Sequence, residues 1–370
     1  MRVAIAGAAE CDLGKTRKTV LELQTQAVSR ALADAGLTLA DVDGIATNGI
    51  SRFSATQLAE YLGIQPTWCD STFEGGAVFE MYVARAAQAI AAGQCGTVVI
   101  SYASNQRSAR SRSLTATYAE GTPEALGEEP FHPLYPISYY AMVAQRYLHV
   151  HGLTREDLAG VAVAARARAL RNPQAWTYGK GPLTVDDVRT AEMISSPLGA
   201  LDCCLVTDGG GAIVMTSLDR ARDLPRPPVA VLGYGEALTH SSMFGAPDLL
   251  RTGAIDSGQR AFARAGLAPA DIDVVQLYDS FTISVPLGLE QLGFAAPGEG
   301  LGATVAHNTG GGGLAYCHPG QLGVLLLVEA VRQLRGECGE RQVPSAATAL
   351  VHGTGGILSS HATVILGVDR

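Results

Sequence analysis

ALADAGLTLADVDGI, residues 31–45, and AFARAGLAPADIDVV, residues 261–275, are one pattern written twice. They align at a constant offset of 230 residues and are identical at eight of fifteen positions, including Gly36/Gly266, Asp41/Asp271 and Asp43/Asp273. In each copy a helical run ends at a glycine, which tolerates the left-handed cap of a helix better than any other residue. A short loop and an apolar strand follow. A second pair, VARAAQAIAAG (83–93) over LLVEAVRQLRG (326–336), recurs in the same order. One such match is a common helix–loop–strand idiom. Two in order point to a duplicated α/β half.

Strand and helix patterns alternate on both sides of the repeat. Apolar runs predict strands at 3–7, 42–47, 97–102, 229–235 and 272–279, and three- and four-residue apolar spacing predicts helices at 19–35, 77–92 and 253–265. This is the signature of a layered α/β fold. The proline cluster at 223–228 separates the halves, giving a division into 1–225 and 226–370. The first half carries excess length at about 103–200, which opens with SNQRSARSRS and holds helical stretches at 138–150 and 154–171. Insertions of this kind commonly build a binding face.

Composition narrows the class. Of 370 residues, 47% are hydrophobic and 17% charged, which excludes a disordered chain. The net charge of −8 argues against a nucleic-acid protein. No apolar run reaches the ~20 residues of a membrane span. The start MRVAIAGAAE lacks the features of a signal peptide and reads as a buried strand. Seven cysteines without repeating spacing predict a reduced, cytoplasmic protein with no disulfide framework and no metal site. The pair Cys203–Cys204 reads as packing.

Five stretches carry candidate chemistry. GAAECDLGKT (7–16) approaches a phosphate loop but has Ala9 where the first glycine belongs, so it reads as a turn. NTGGGGLAYCHPGQLG (308–323) combines Asn308, Tyr316 and a glycine run containing Gly312, which lets backbone approach a ligand. His318 there precedes Pro319 and an apolar run to 335, so it is expected at a helix N-terminus, neutral in the helix dipole. It could catalyse or merely cap. LYDSF (277–281) puts Tyr278 and Asp279 at a strand end, where open α/β sheets place their sites. HGTGG (352–356) offers His352 and Gly355 to the same pocket, and FEGG (73–76) opens a helix with Gly75 and Gly76.

These landmarks, in this order, resemble the thiolase superfamily, and within it the sterol-carrier-protein-type thiolases or lipid-transfer proteins. The resemblance implies two similar α/β halves in five layers, a loop domain inserted in the first, and a homodimer. CHPG (317–320) resembles the family's Gly-His-Pro loop. A thiolase keeps a nucleophilic cysteine at the start of the helix at 77–92, where this chain has Gly76 and no Cys, Ser or Thr from 73 to 80. His352 falls where the second thiolase cysteine belongs. Claisen chemistry through an acyl-enzyme needs a thiolate, which glycine does not supply.

What remains is acid–base and oxyanion machinery: His318, Tyr278, Tyr316 and His352, with Asp279, Asn308, Gly75, Gly76, Gly312 and Gly355 toward the substrate. The resemblance therefore implies a retro-aldolase. It would cleave a β-hydroxyacyl coenzyme A thioester such as a steroid side chain, with no covalently bound cofactor. It also implies a hetero-complex with a small OB-fold/zinc-ribbon acyl-CoA-binding protein. A Claisen acyltransferase using Cys69 or Cys317, and a silent acyl-CoA-binding scaffold, stay open as alternatives. Arg107, Arg110 and Arg112 form a basic patch that is either a solvated loop or a contact for coenzyme A phosphates or a partner.

Overall fold

The computed structural model of the protein describes residues 2–112, 114 and 118–369; Ser113 and residues 115–117, inside the expected insertion, lie outside the described residues. The first half contains β1 (Val3–Glu10), α1 (Val20–Ala35), β2 (Gly44–Thr47), β3 (Trp68–Asp70), α2 (Val78–Ala91), β4 (Thr97–Ser104) and, after the insertion, β5 (Gly209–Ser217). The insertion contributes α3 (Ile137–His151) and α4 (Arg155–Ala169). The second half contains β6 (Val229–Leu238), α5 (Ala254–Ala265), β7 (Val274–Leu277), β8 (Ala306–His307), α6 (Gly323–Arg335), β9 (Thr348–Gly355) and β10 (Ser360–Val368).

The strand order is β8-β7-β9-β10-β6-β1-β5-β4-β2-β3. Read from the middle outward, both halves repeat one scheme. The innermost strand pairs antiparallel with the next, that pair is followed by a second antiparallel pairing, and two parallel pairings complete the half. The halves join edge to edge through β1 and β6, where Ala4 faces Ala230 and Ile5 faces Val229. Helix α1 packs mainly on first-half strands and α5 mainly on second-half strands, whereas α2 and α6 touch strands of both halves and each other. That makes five layers, α-β-α-β-α. The outer helices bury one face. α2 and α6 are apolar and buried nearly all round, as helices enclosed between sheets must be.

The repeat is structural in detail. Gly36 and Gly266 both take left-handed caps, at φ 71° and 66°. A 3-10 turn at Leu39–Asp41 matches one at Pro269–Asp271, and β2 and β7 follow. A Cβ on Gly7 of β1 would lie 2.1 Å from the carbonyl oxygen of Ala31 in α1; on Gly233 of β6 it would lie 2.2 Å from that of Ala261 in α5. Each half thus holds its outer helix against its innermost strand at a glycine.

Several elements differ from expectation. β1, β4 and β6 run on past the expected ends, because pairing with neighbouring strands continues through Glu10, Ser104 and Leu238. β7 is shorter than 272–279, so Tyr278 and Asp279 lie just beyond it. The helix after His318 begins only at Gly323, because Gly320 turns the chain at φ 103°. His318 is therefore not at a helix N-terminus.

Gly7→Ala and Gly233→Ala should each destabilise the fold by ~1–3 kcal/mol, since the added methyl meets helix backbone that cannot swing aside. Denaturant melts of the two variants check this, and an unchanged midpoint would refute the close approach.

Candidate active site

The loops that precede the two central helices meet the loops that leave β7 and β9. A cavity of about 480 Å³ lies at this junction, lined among others by Gly75, Gly76, Tyr278, His318, Gly320 and Gly355. Backbone contact seals two of these loops together. A Cβ on Gly75 would meet Gly356 N at 2.8 Å, and one on Gly355 would meet Glu74 O at 2.0 Å.

Tyr278 and His318 form the polar centre. Tyr278 Oη is 3.2 Å from His318 Nε2 and donates to Gly320 O at 3.1 Å. The rings meet edge to face, 5.6 Å apart at 88°. Thr207 and Gln106 fix the His318 backbone: its N donates to Thr207 Oγ1, and its O accepts from Thr207 N and Gln106 Nε2. Burial, followed by the charge of Arg112, drives the imidazole down to about 3. The ring is neutral at pH 7 for this reason and not because of a helix dipole. Burial likewise raises the Tyr278 phenol well above its ordinary value. His318 Nδ1 is buried and has no hydrogen-bond partner among the described residues.

Gly76 explains the missing nucleophile. A Cβ there would sit 2.2 Å from Tyr278 Cε2 and 2.5 Å from Thr354 O. The tyrosine ring occupies the space that a side chain at residue 76 would need.

The other expected residues are placed differently. Asp279 is fully buried, accepts from Gly313 N at 2.6 Å and Leu314 N at 3.3 Å, and is pushed up to about 7 by burial. It holds the glycine loop, where a Cβ on Gly312 would strike its Oδ2 at 2.1 Å. Asn308 spends its amide on Leu277, accepting from its N and donating to its O. Tyr316 donates to Glu10, which pairs with Arg332. His352 stacks on His361 and lies 2.8 Å from Thr363 Oγ1, behind Tyr278 in a nearly filled space. None of Asp279, Gly312, Asn308, Tyr316 and His352 lines the 480 Å³ cavity; their side chains or backbone are used inside the protein.

Two groups do line it that the sequence reading put elsewhere, Arg112 and Cys204. Cys204 is not simple packing, because it lines the cavity next to Ser280. Burial pushes its thiol up to about 11, so it is protonated at pH 7. Cys317 points inward to Thr207 and is pushed up to about 12, and Cys69 is exposed on edge strand β3. Glu80 is a further group that sequence reasoning does not single out. Its carboxyl is buried between Gly323 and Gly353, has no partner among the described residues, and is raised well above its ordinary value. A lone Glu in an Ala-rich helix is its only signal.

The depressed histidine carries a pH signature. Unfolded, His318 takes a proton near pH 6.5; folded, it does so only near 3. Its contribution to stability is complete above pH 6.5 and falls as pH drops toward 3, because the unfolded chain binds the extra proton. The denaturation midpoint should decline between pH 7 and pH 5, and more shallowly in His318→Gln. An unchanged slope would contradict a buried neutral ring.

Residues 235–368 match the family described as Thiolase C-terminal domain-like. The "Steroid side-chain-cleaving aldolase" of Thermomonospora curvata is 35% identical over 99% of this chain and 98% of its own length. The "17-hydroxy-3-oxo-4-pregnene-20-carboxyl-CoA lyase" of Mycobacterium tuberculosis is 35% identical over 90% of this chain and 92% of its own. The solved structure of an "Ltp2-ChsH2(DUF35) aldolase" superposes with a TM-score of 0.90 at 34% identity, covering 100% of this chain and 98% of that one. With the five layers, the duplicated halves and a glycine in place of the attacking cysteine, these likenesses show that the chain belongs to the thiolase superfamily, in its sterol-carrier-protein-type aldolase branch.

Proposed function

We propose that this protein is a retro-aldolase that cleaves a β-hydroxyacyl coenzyme A thioester, a steroid side chain being the class suggested by its relatives. The observation that carries the reading is Tyr278 standing over Gly76 with its hydroxyl against His318. Tyr278 meets the substrate. Its hydroxyl proton turns from Gly320 O to His318 Nε2 and passes to that nitrogen as the phenolic oxygen takes the β-hydroxyl proton. The Cα–Cβ bond breaks, the β-carbon becomes a ketone or aldehyde, and the electron pair forms a thioester enolate. Donors that line the cavity steady that oxyanion, and Arg112 is the charged one among them. The imidazolium, whose pKa burial holds low, is a strong acid and returns the proton to Cα, so the cleavage is balanced without cofactor.

Asp279, Asn308 and Gly312 act one step back, by holding the loop that presents His318. Gly75, Gly76 and Gly355 keep side chains out of the cavity. Tyr316 and His352 support the centre from behind. The partner is a small DUF35 protein, of the kind named together with the aldolase in the similar solved structure. The assembly is a cytoplasmic homodimer of this chain with that partner, each chain divided near residue 225. No helix among the described residues is long and apolar enough to cross a membrane.

The competing reading is acyl transfer, favoured by the presence of Cys204 in the cavity. Its protonated state weighs against it. With a β-hydroxyacyl-CoA, Tyr278→Phe should lower kcat by roughly 10²–10⁴-fold, while Cys204→Ser stays within about threefold. Iodoacetamide should spare activity. Loss of activity in the cysteine variant, with the tyrosine variant unaffected, would reverse the assignment.

A further inference from the structure

His318 is fixed through its backbone, yet one side of its ring is left free. Nε2 faces Tyr278 Oη at 3.2 Å, while Nδ1 is buried and has no hydrogen-bond partner among the described residues. A buried ring nitrogen in that state is unfavourable and marks a group still to be satisfied. The residue's own carbonyl lies against the ring, but it already accepts from Thr207 N at 3.2 Å and Gln106 Nε2 at 2.9 Å.

A second free atom stands in the same loop. Gln321 lines the reaction cavity together with His318 and is 8% exposed, and its Oε1 is buried without a partner among the described residues. Gly320, at φ 103°, turns the chain between the two residues, and both side chains end on the cavity.

The reaction says which ring nitrogen should carry the hydrogen. For Nε2 to accept the Tyr278 proton, the neutral imidazole must keep its own hydrogen on Nδ1. Nδ1–H is then a buried donor in need of an acceptor, and an amide oxygen only accepts. Ser280 Oγ is also free in this cavity, with Tyr140 beside it, but a hydroxyl donates as readily as it accepts and selects no tautomer. A carboxylate would select the same tautomer, yet its charge would strengthen the ring's hold on a second proton and weaken the imidazolium as an acid. A neutral amide fixes the tautomer and leaves the acid strong.

We propose that Gln321 is the positioning residue of His318: its Oε1 accepts from Nδ1–H, through one bound water or after a turn of its side chain, and so keeps Nε2 open toward Tyr278. This role rests on the aldolase reading above for its use in catalysis and on the two free atoms for its geometry. When Nε2 takes the tyrosine proton, the Nδ1–H bond becomes charge-assisted and strengthens as the imidazolium forms.

The test is 15N magnetic resonance on the full chain with labelled histidines, which separates protonated from unprotonated ring nitrogens. The chain has eight histidines, and His318→Gln assigns the signal. At pH 7 the wild type should show the Nδ1–H form. Gln321→Leu and Gln321→Met both remove the amide, and melting curves show which of them fold. In the folded variant the Nε2–H form should appear. Gln321→Glu, which keeps a carbonyl oxygen, should restore Nδ1–H, and Ser280→Ala should leave it unchanged. With a β-hydroxyacyl-CoA, the amide-free variant should lose roughly 10- to 10³-fold in kcat while KM stays within about threefold. An Nε2–H ring in the wild type, an Nδ1–H ring or full kcat in a folded amide-free variant, or loss of Nδ1–H in Ser280→Ala overturns the proposal. An Nδ1–H ring that depends on Gln321, with no cleavage of any β-hydroxyacyl-CoA, would sink the aldolase reading and leave the positioning role standing. Cleavage that needs Tyr278, with a tautomer indifferent to Gln321, does the reverse.

Discussion

The site depends on one steric fact: an aromatic ring lies where a nucleophile's side chain would be. Tyr278 packs so closely over the Gly76 Cα that even a methyl group there would collide with the ring. A side chain at residue 76 and the Tyr278 ring in this position therefore exclude one another. Glycine at 76 lets the tyrosine reach His318, and the tyrosine keeps position 76 empty.

Electrostatics follow from that burial. The cavity wall contains an imidazole held neutral down to about 3, a phenol held protonated, and a thiol held up to about 11. Each neutral form is favoured by removal from water, so these three groups carry no charge in the resting site, beside Arg112 and Glu74 in the same lining. The proposed cleavage would place a negative thioester oxygen among fixed donors there. The same burial suits an acid–base pair that passes a proton and retrieves it, and it disfavours a standing thiolate.

The scaffold makes this geometry reproducible. Two copies of one half place two buried helices back to back, and the loops before those helices converge on the cavity. Asn308 bridges Leu277 like an extra strand residue, and Asp279 anchors the glycine loop by its backbone N–H groups. These polar side chains were expected to face substrate. They are used up instead in fixing irregular backbone, which would otherwise leave buried amides unpaired.

Local pattern alone determined much of this protein. Glycine caps at 36 and 266, the repeated helix–turn–strand phrase and the apolar runs of the central helices are encoded by neighbours a few residues apart, so the duplicated α/β halves were legible. Gly76, Tyr278 and His318 could each be named from motifs. Only tertiary structure decided which candidates share a cavity. Tyr316 and His352 sit close in sequence to residues that face it, yet their hydrogen bonds lead to Glu10, Thr363 and His361. Cys204 and Arg112 reach the cavity because the insertion folds back over the strand ends, and Lys15 joins Arg107 because Asp208 binds both loops. Sequence spacing sets the direction of a side chain along its own element; which distant loop it then faces depends on packing between elements.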